Sequence, residues 1–279
     1  MLDYGMSVVW VGVLMVLVPA FALSVYLARR KKSMWLVFVI GAVGWIVALV
    51  RVPILQGLAD AFLRSWIRSA GALAAPYIAT AVDSLFAGLF EEGIRYGLVK
   101  KIQRTRADLG HVLSFGLGWG FGEAALIYAL PIVSAVYLQG ASIPFSSLLL
   151  GALERNITMV IHVGLTFVIF RAVTDVKFLF VAIGTHFTVN FVGVSLFLLT
   201  GNVWATYLVA LVVALILVGY AHKLTEIQMN AQRHETLKPV ERALPTSLTV
   251  GGKCVCIRPS SFFGQHCQLT NRMETVPMG

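Results

Sequence analysis

Apolar residues fill seven long stretches of the chain, at roughly 6–28, 33–50, 75–99, 111–131, 147–170, 178–199 and 203–221, with short polar interruptions between them. Eighteen or more residues at 1.5 Å each span about 30 Å, the thickness of a bilayer's hydrocarbon core. The stretches show no strict alternation of apolar and polar positions, and several are apolar all round, as a helix surrounded by lipid or by other such helices must be. The pattern predicts an all-α fold: a polytopic transmembrane bundle of about seven spans, occupying residues 1–222. Between the second and third stretches, Gln56, Asp60, Arg64 and Arg68 recur at fourfold spacing, with Leu55, Leu58, Phe62 and Trp66 on other faces. Residues 51–70 therefore read as an amphipathic helix lying in the membrane interface. Residues 223–279 are polar, carry Pro239, Pro245, Pro259 and Pro277 and lack an apolar face. They are expected to be a disordered cytosolic tail.

Composition sharpens the class: 58% of residues are hydrophobic and 13% charged, and a water-soluble domain has no place for so much apolar surface. The formal net charge of +9 would suit a nucleic-acid partner, but the position of the basic residues argues against one. Seventeen of the 22 Lys and Arg residues flank spans on a single side, including Arg29 to Lys32, Lys100, Lys101, Arg171 and Lys177, whereas the other side has only Arg51, Arg64 and Arg68. The positive-inside rule then puts the N-terminus outside and the C-terminus in the cytosol. The first span lacks a basic leader and a small-residue cleavage site, so it is expected to be retained. Cys254, Cys256 and Cys267 all fall in the tail, which fits a reduced, cytosolic location. Their spacing with His266 matches no standard zinc pattern.

The chemistry lies in charges that the bilayer should have excluded. Each ionisable side chain placed in a span costs at least about 2.5 kcal/mol on insertion scales, so such residues mark function. The third stretch holds Asp83, Glu91, Glu92 and Arg95; the fourth Glu123; the fifth Glu154, Arg155 and His162; the sixth His186 and Asn190. Measured from the cytosolic ends of their spans, Glu91, Glu92, His162 and His186 lie about 11–12 Å deep and Glu123 and Asn190 about 18 Å. Four titratable groups on three helices thus share a level, with Glu123 and Asn190 close enough to converge with them, and the pocket is expected to open toward the cytosol. Arg95 sits three and four positions after the two glutamates, where one guanidinium can partner either carboxylate. His186 and Asn190 are also one turn apart. Asp83, Glu154 and Arg155 read as structural. Gly116, Gly118, Gly120 and Gly122 strip side chains from the helix before Glu123 and permit close packing there.

The segments Glu91-Glu92-Gly93-Ile94-Arg95 and His186-Phe187-Thr188-Val189-Asn190 resemble, in order and kind, the motifs of the superfamily of membrane metalloproteases that includes type II CAAX prenyl endopeptidases and bacteriocin-processing enzymes. Trp119 to Glu123 is similar to the second motif in its glutamate form, as in the PrsW branch, and His162 can serve as the third. The seven-span plan with an external N-terminus looks most like the YhfC family of membrane peptidases, and it is also similar to the scaffold subunit of gamma-secretase. Two departures stand out. Arg95 follows the second glutamate by three positions where CAAX endopeptidases use four, and Glu123 replaces one of their histidines.

The resemblance implies a protease-like core at about 75–199, with Glu91, Glu92, Arg95, Glu123, His162, His186 and Asn190 as the catalytic set. It implies hydrolysis of peptide bonds in membrane-associated substrates, with water activated by Glu91 or Glu92. A divalent metal, zinc first, would be held by His162, His186 and Glu123; alternatively glutamate acts alone, with His186 and Asn190 binding the oxyanion. The expected partners are membrane lipid, a peptide or membrane-protein substrate and other subunits of a membrane complex, in the plasma membrane of a prokaryote. The competing readings are a non-catalytic scaffold and, less in keeping with the absence of repeated halves, a transporter.

Overall fold

The computed structural model describes residues 2–58, 65, 69, 71–103, 108–243, 248–250 and 253–255. Its helices are α1 (Leu2–Arg30), α2 (Ser33–Ala48), α3 (Arg51–Leu58), α4 (Ala75–Gln103), α5 (Leu109–Glu123), α6 (Leu130–Gln139), α7 (Phe145–Ala172), α8 (Lys177–Thr200) and α9 (Val203–Ala243). A π-helical segment, Ala124–Ala129, joins α5 to α6. The expected seven spans correspond to α1, α2 with α3, α4, α5 through α6, α7, α8 and the first part of α9. All but α4 are long and apolar enough to cross a membrane. The exception is 29 residues long, but it carries the charges of the site. Apolar side chains such as Leu36, Phe180, Leu208 and Leu215 point outward and are exposed, as a lipid-facing surface requires.

The chain divides into a compact unit of Met1–Ile227 and a second of Gln228–Gly279. Helix α9 continues to Ala243, and Leu248–Val250 pairs antiparallel with Lys253–Val255. Both features fall within the expected tail, whose residues 256–279 lie outside the described residues, with Cys256 and Cys267 among them. Of the expected interfacial helix, Arg51–Leu58 is α3; residues 59–64, 66–68 and 70, including Asp60, Arg64 and Arg68, also lie outside.

The glycines of α5 divide their work between two neighbours. A side chain at Gly118 would run into the carbonyl of Phe38, and one at Gly122 would meet the carbonyl of Ala42 at 2.6 Å, so this face packs backbone to backbone on α2. Gly116 and Gly120, half a turn away, lie against Val163 and Met159 of α7. Alternate glycines at i, i+4 spacing thus admit two helices at once. Gly41 of α2 completes the first contact, where a Cβ would clash with the Phe115 carbonyl.

Two backbone interruptions have identifiable causes. Pro19 inside α1 cannot donate to the carbonyl of Met15. Asn156 of α7 donates to that oxygen instead at 3.2 Å, and to its own Ala152 carbonyl at 2.8 Å. Pro131, in the first turn of α6, likewise has no N–H for the carbonyl four residues back, and the wide turn of the π segment precedes it. Gly140 and Gly201 end α6 and α8 at φ 67° and 64°, a left-handed conformation that glycine adopts without strain.

Where α2 and α5 begin, Asp108 caps α5 through the backbone N–H of His111, and His111 Nδ1 returns to the Asp108 carboxylate at 2.7 Å. Ser33 joins the same histidine at 2.9 Å and Lys31 lies 3.4 Å from Asp108. Partial burial would raise the Asp108 carboxyl, but the hydrogen bonds and charge of His111, with Lys31, outweigh it and hold the group below the usual range. A depressed folded pKa gives stability that is present above the unfolded value, near 3.9, and is lost as pH falls through the folded one. The difference in melting temperature between the parent and Asp108→Ala is therefore expected to be full from pH 7 to 5 and to shrink below about pH 4. A difference that grows on acidification would contradict this assignment.

Candidate functional site

Helices α4, α5, α7 and α8 bring the expected residues together. Glu91, Glu92 and Arg95 are buried on α4, His162 on α7 and His186 on α8. Glu123 ends α5, where the π segment begins, and is partly buried.

Arg95 organises the deepest layer. Its Nη1 donates to Glu92 Oε2 at 3.0 Å and its Nη2 donates to His162 Nδ1 at 2.9 Å. The guanidinium also stacks on the Trp119 ring, 4.5 Å from its centroid. An arginine only donates, so His162 Nδ1 accepts and the histidine's proton sits on Nε2, which contacts Glu123 Oε2. Glu123 in turn receives Arg155 Nη1 at 2.6 Å, and Arg155 is braced by the neighbouring Glu154 carboxylate. Asp83, by contrast, is exposed on the cavity wall among the described residues.

His186 has the opposite polarity. Its Nδ1 donates to Glu92 Oε1 at 2.7 Å, because that carboxylate is already held as an acceptor by Arg95. Nε2 is then left with its lone pair, 4.0 Å from Glu91 Oε2. Glu91 completes the set: Trp119 Nε1 reaches its Oε2 at 3.4 Å, and Arg51 Nη1 lies 2.8 Å from its Oε1. Asn190, one turn beyond His186, faces the same cavity of about 580 Å³ that Glu91, Glu123, His162 and His186 line.

Glu91, Glu123 and His162 can each bring one ligand atom within 4.8 Å of the others, and this group can hold a metal ion. Two carboxylate oxygens and an imidazole nitrogen are donors that zinc accepts. His186 is the expected ligand that stands beside this group rather than in it. Its carboxylate-bound Nδ1–H and free Nε2 nevertheless form the arrangement usual for a metal-binding histidine.

Residues 14–142 match the YhfC intramembrane metalloprotease family. The matched segment runs from α1 to just past α6 and includes Glu91, Glu92, Arg95 and Glu123; His162, His186 and Asn190 follow it. The YhfC resemblance expected from the motifs is therefore upheld over residues 14–142, somewhat less than half of the chain, which include Glu91, Glu92 and Glu123. No curated protein matches the chain. The chain is an integral membrane protein with six described helices long and apolar enough to span, and the family that residues 14–142 match is one of intramembrane metalloproteases.

Sequence reasoning missed two members of the site. Arg51 was expected at the membrane surface, yet it turns inward to Glu91. Trp119 entered only as the start of a motif, although it contacts both Glu91 and Arg95. Its position one turn before Glu123, on the same helix face, was the available signal.

Proposed function

We propose that the protein is an intramembrane endopeptidase that hydrolyses peptide bonds of membrane-associated substrates. The observation that supports this best is the convergence of Glu91, Glu123 and His162 within 4.8 Å beside a cavity, with His186 Nε2 next to Glu91. A divalent cation such as zinc, if held by Glu91, Glu123 and His162 with the His162 Nε2 proton displaced, would supply Lewis-acid polarisation of the substrate carbonyl and lower the pKa of water.

The protein's own residues divide the remaining tasks. Glu91, which lines the cavity, can give one carboxylate oxygen to the ion and through the other accept the proton of water and return it to the departing amine. Glu92 does not share this role. Both of its oxygens are committed, one to Arg95 and one to His186, so it orients the imidazole and balances the guanidinium. Arg95 fixes the tautomer of His162 from the other side. Asn190, which lines the cavity, supplies an amide N–H toward an oxyanion there.

The test combines metal analysis of the purified protein with cleavage of membrane-inserted peptides by the parent and by Glu91→Ala, Glu92→Ala and His186→Ala. The expected outcome is about one divalent ion per chain in the parent, a loss of cleavage of at least about 100-fold in Glu91→Ala, the range of a missing acid–base group, and a clear loss in Glu92→Ala and His186→Ala through the misplaced imidazole and guanidinium. Full activity in all three variants would end the proposal.

A further inference from the structure

The cavity beside the cluster has a direction. On α4 its wall includes Thr80 and Ser84 and ends at Glu91; on α8 it runs from His186 on to Val194; on α9 it takes Thr206 and Tyr207 from the opening turns. Thr80, Ser84, Val194, Thr206 and Tyr207 lie in the halves of their helices nearest the connections at 49–74 and 201–202, with Glu91 and His186 close to the middles of α4 and α8. The other halves are packed shut: Val99, Phe115, Phe167, Phe170 and Leu217 are buried in one apolar cluster that includes Ala182 of α8. Among the described residues, apolar packing therefore lies between the cavity and Lys100, Arg171 and Lys177, and the polar wall of the cavity lies toward the end that is poor in lysine and arginine. This direction is opposite to the expected opening toward the cytosol.

We infer that the site is served from the extracytoplasmic side through this funnel, and that its substrates are extended peptide segments lying outside the membrane next to an anchor, not cytosolic chain ends. The inference rests on the peptidase reading for the reaction; the direction of the funnel stands apart from it. The positive-inside rule assigns the packed, basic end to the cytosol. From Thr80 to Glu91 is about 17 Å along α4, and an extended chain advancing about 3.3 Å per residue covers that distance with about five residues. Thr80, Ser84, Asn190, Thr206 and Tyr207 give that chain polar partners on the wall. Trp45 adds an indole N–H that is buried and without a partner among the described residues.

The test is labelling of single cysteines in otherwise full-length protein, with Cys254, Cys256 and Cys267 changed to serine. Thr80→Cys and Thr206→Cys report on the funnel, and Thr174→Cys, exposed between α7 and α8, reports on the opposite end. A membrane-impermeant maleimide should modify the first two from outside in spheroplasts, and the third only in inverted vesicles. Modification of Thr80→Cys and Thr206→Cys only in inverted vesicles, or in neither preparation, would overturn the funnel. A second arm places one ten-residue cleavable segment outside or inside the membrane on otherwise identical single-span carriers. Cleavage of the outside carrier alone is expected; cleavage of the inside carrier would overturn the assignment of side. If neither carrier is cut, the peptidase reading and the substrate class both fall, and the labelling pattern still decides the direction of the funnel.

Discussion

Replacing Arg95 by leucine should destabilise the protein by about 3–5 kcal/mol, the range for removing one partner of a buried ion pair. The leucine fills space but leaves the Glu92 carboxylate, fully buried, without its guanidinium. It also removes the donor to His162 Nδ1 and the cation over Trp119. Arg95→Lys is expected to fall between parent and leucine variant, because a single ammonium cannot reproduce a fork that reaches Glu92 at 3.0 Å and His162 at 2.9 Å together. Thermal unfolding in detergent measures the ordering. A leucine variant as stable as the parent would show that the cluster does not depend on its arginine. Loss of cleavage in the lysine variant, with most of the stability retained, would separate the orienting role from the structural one.

Gly118→Leu is the second change with a large expected effect. Overpacking an interior ordinarily costs about 1–3 kcal/mol, but here the obstacle is the backbone carbonyl of Phe38, which cannot rotate away as a side chain can. The substitution must drive α2 from α5, and with α5 go Trp119 and Glu123. The variant should fail to accumulate as a monodisperse species in size-exclusion chromatography. Gly93→Leu is the matched control: it stands on α4 between Glu92 and Arg95, and nothing lies within 4 Å of an added Cβ there. Equal behaviour of the two variants would refute the close α2–α5 approach.

The helical plan and the composition of the site were legible in the sequence for the same reason. Lipid excludes charge so strongly that Glu91, Glu92, Arg95, Glu123, His162 and His186 had to find one another once each lay inside a span. Glycine spacing before Glu123 likewise announced the tight packing of α5. What could not be read was side-chain direction at the ends of spans. Arg51 looks like any interfacial arginine, because a long side chain at a helix end reaches water or the interior equally well. Depth counted along a helix locates a level and does not say which side is sealed; the aromatic and aliphatic packing around Phe115, Phe167 and Leu217, on which the proposed direction of the pocket rests, is a tertiary property. The split roles of Glu91 and Glu92 depend on which oxygens their neighbours occupy, and adjacency in sequence holds no record of that.

The wide turn after Glu123 separates the chemistry from the rim. An α-helix advances about 100° per residue, so gaining or losing one residue between Ala124 and Ala129 would swivel Ile127 and the helix beyond it around the axis while Glu123 stayed fixed against His162 and Arg155. A change in the length of this collar alone would therefore reshape the rim of the cavity and leave the carboxylate–histidine cluster unchanged.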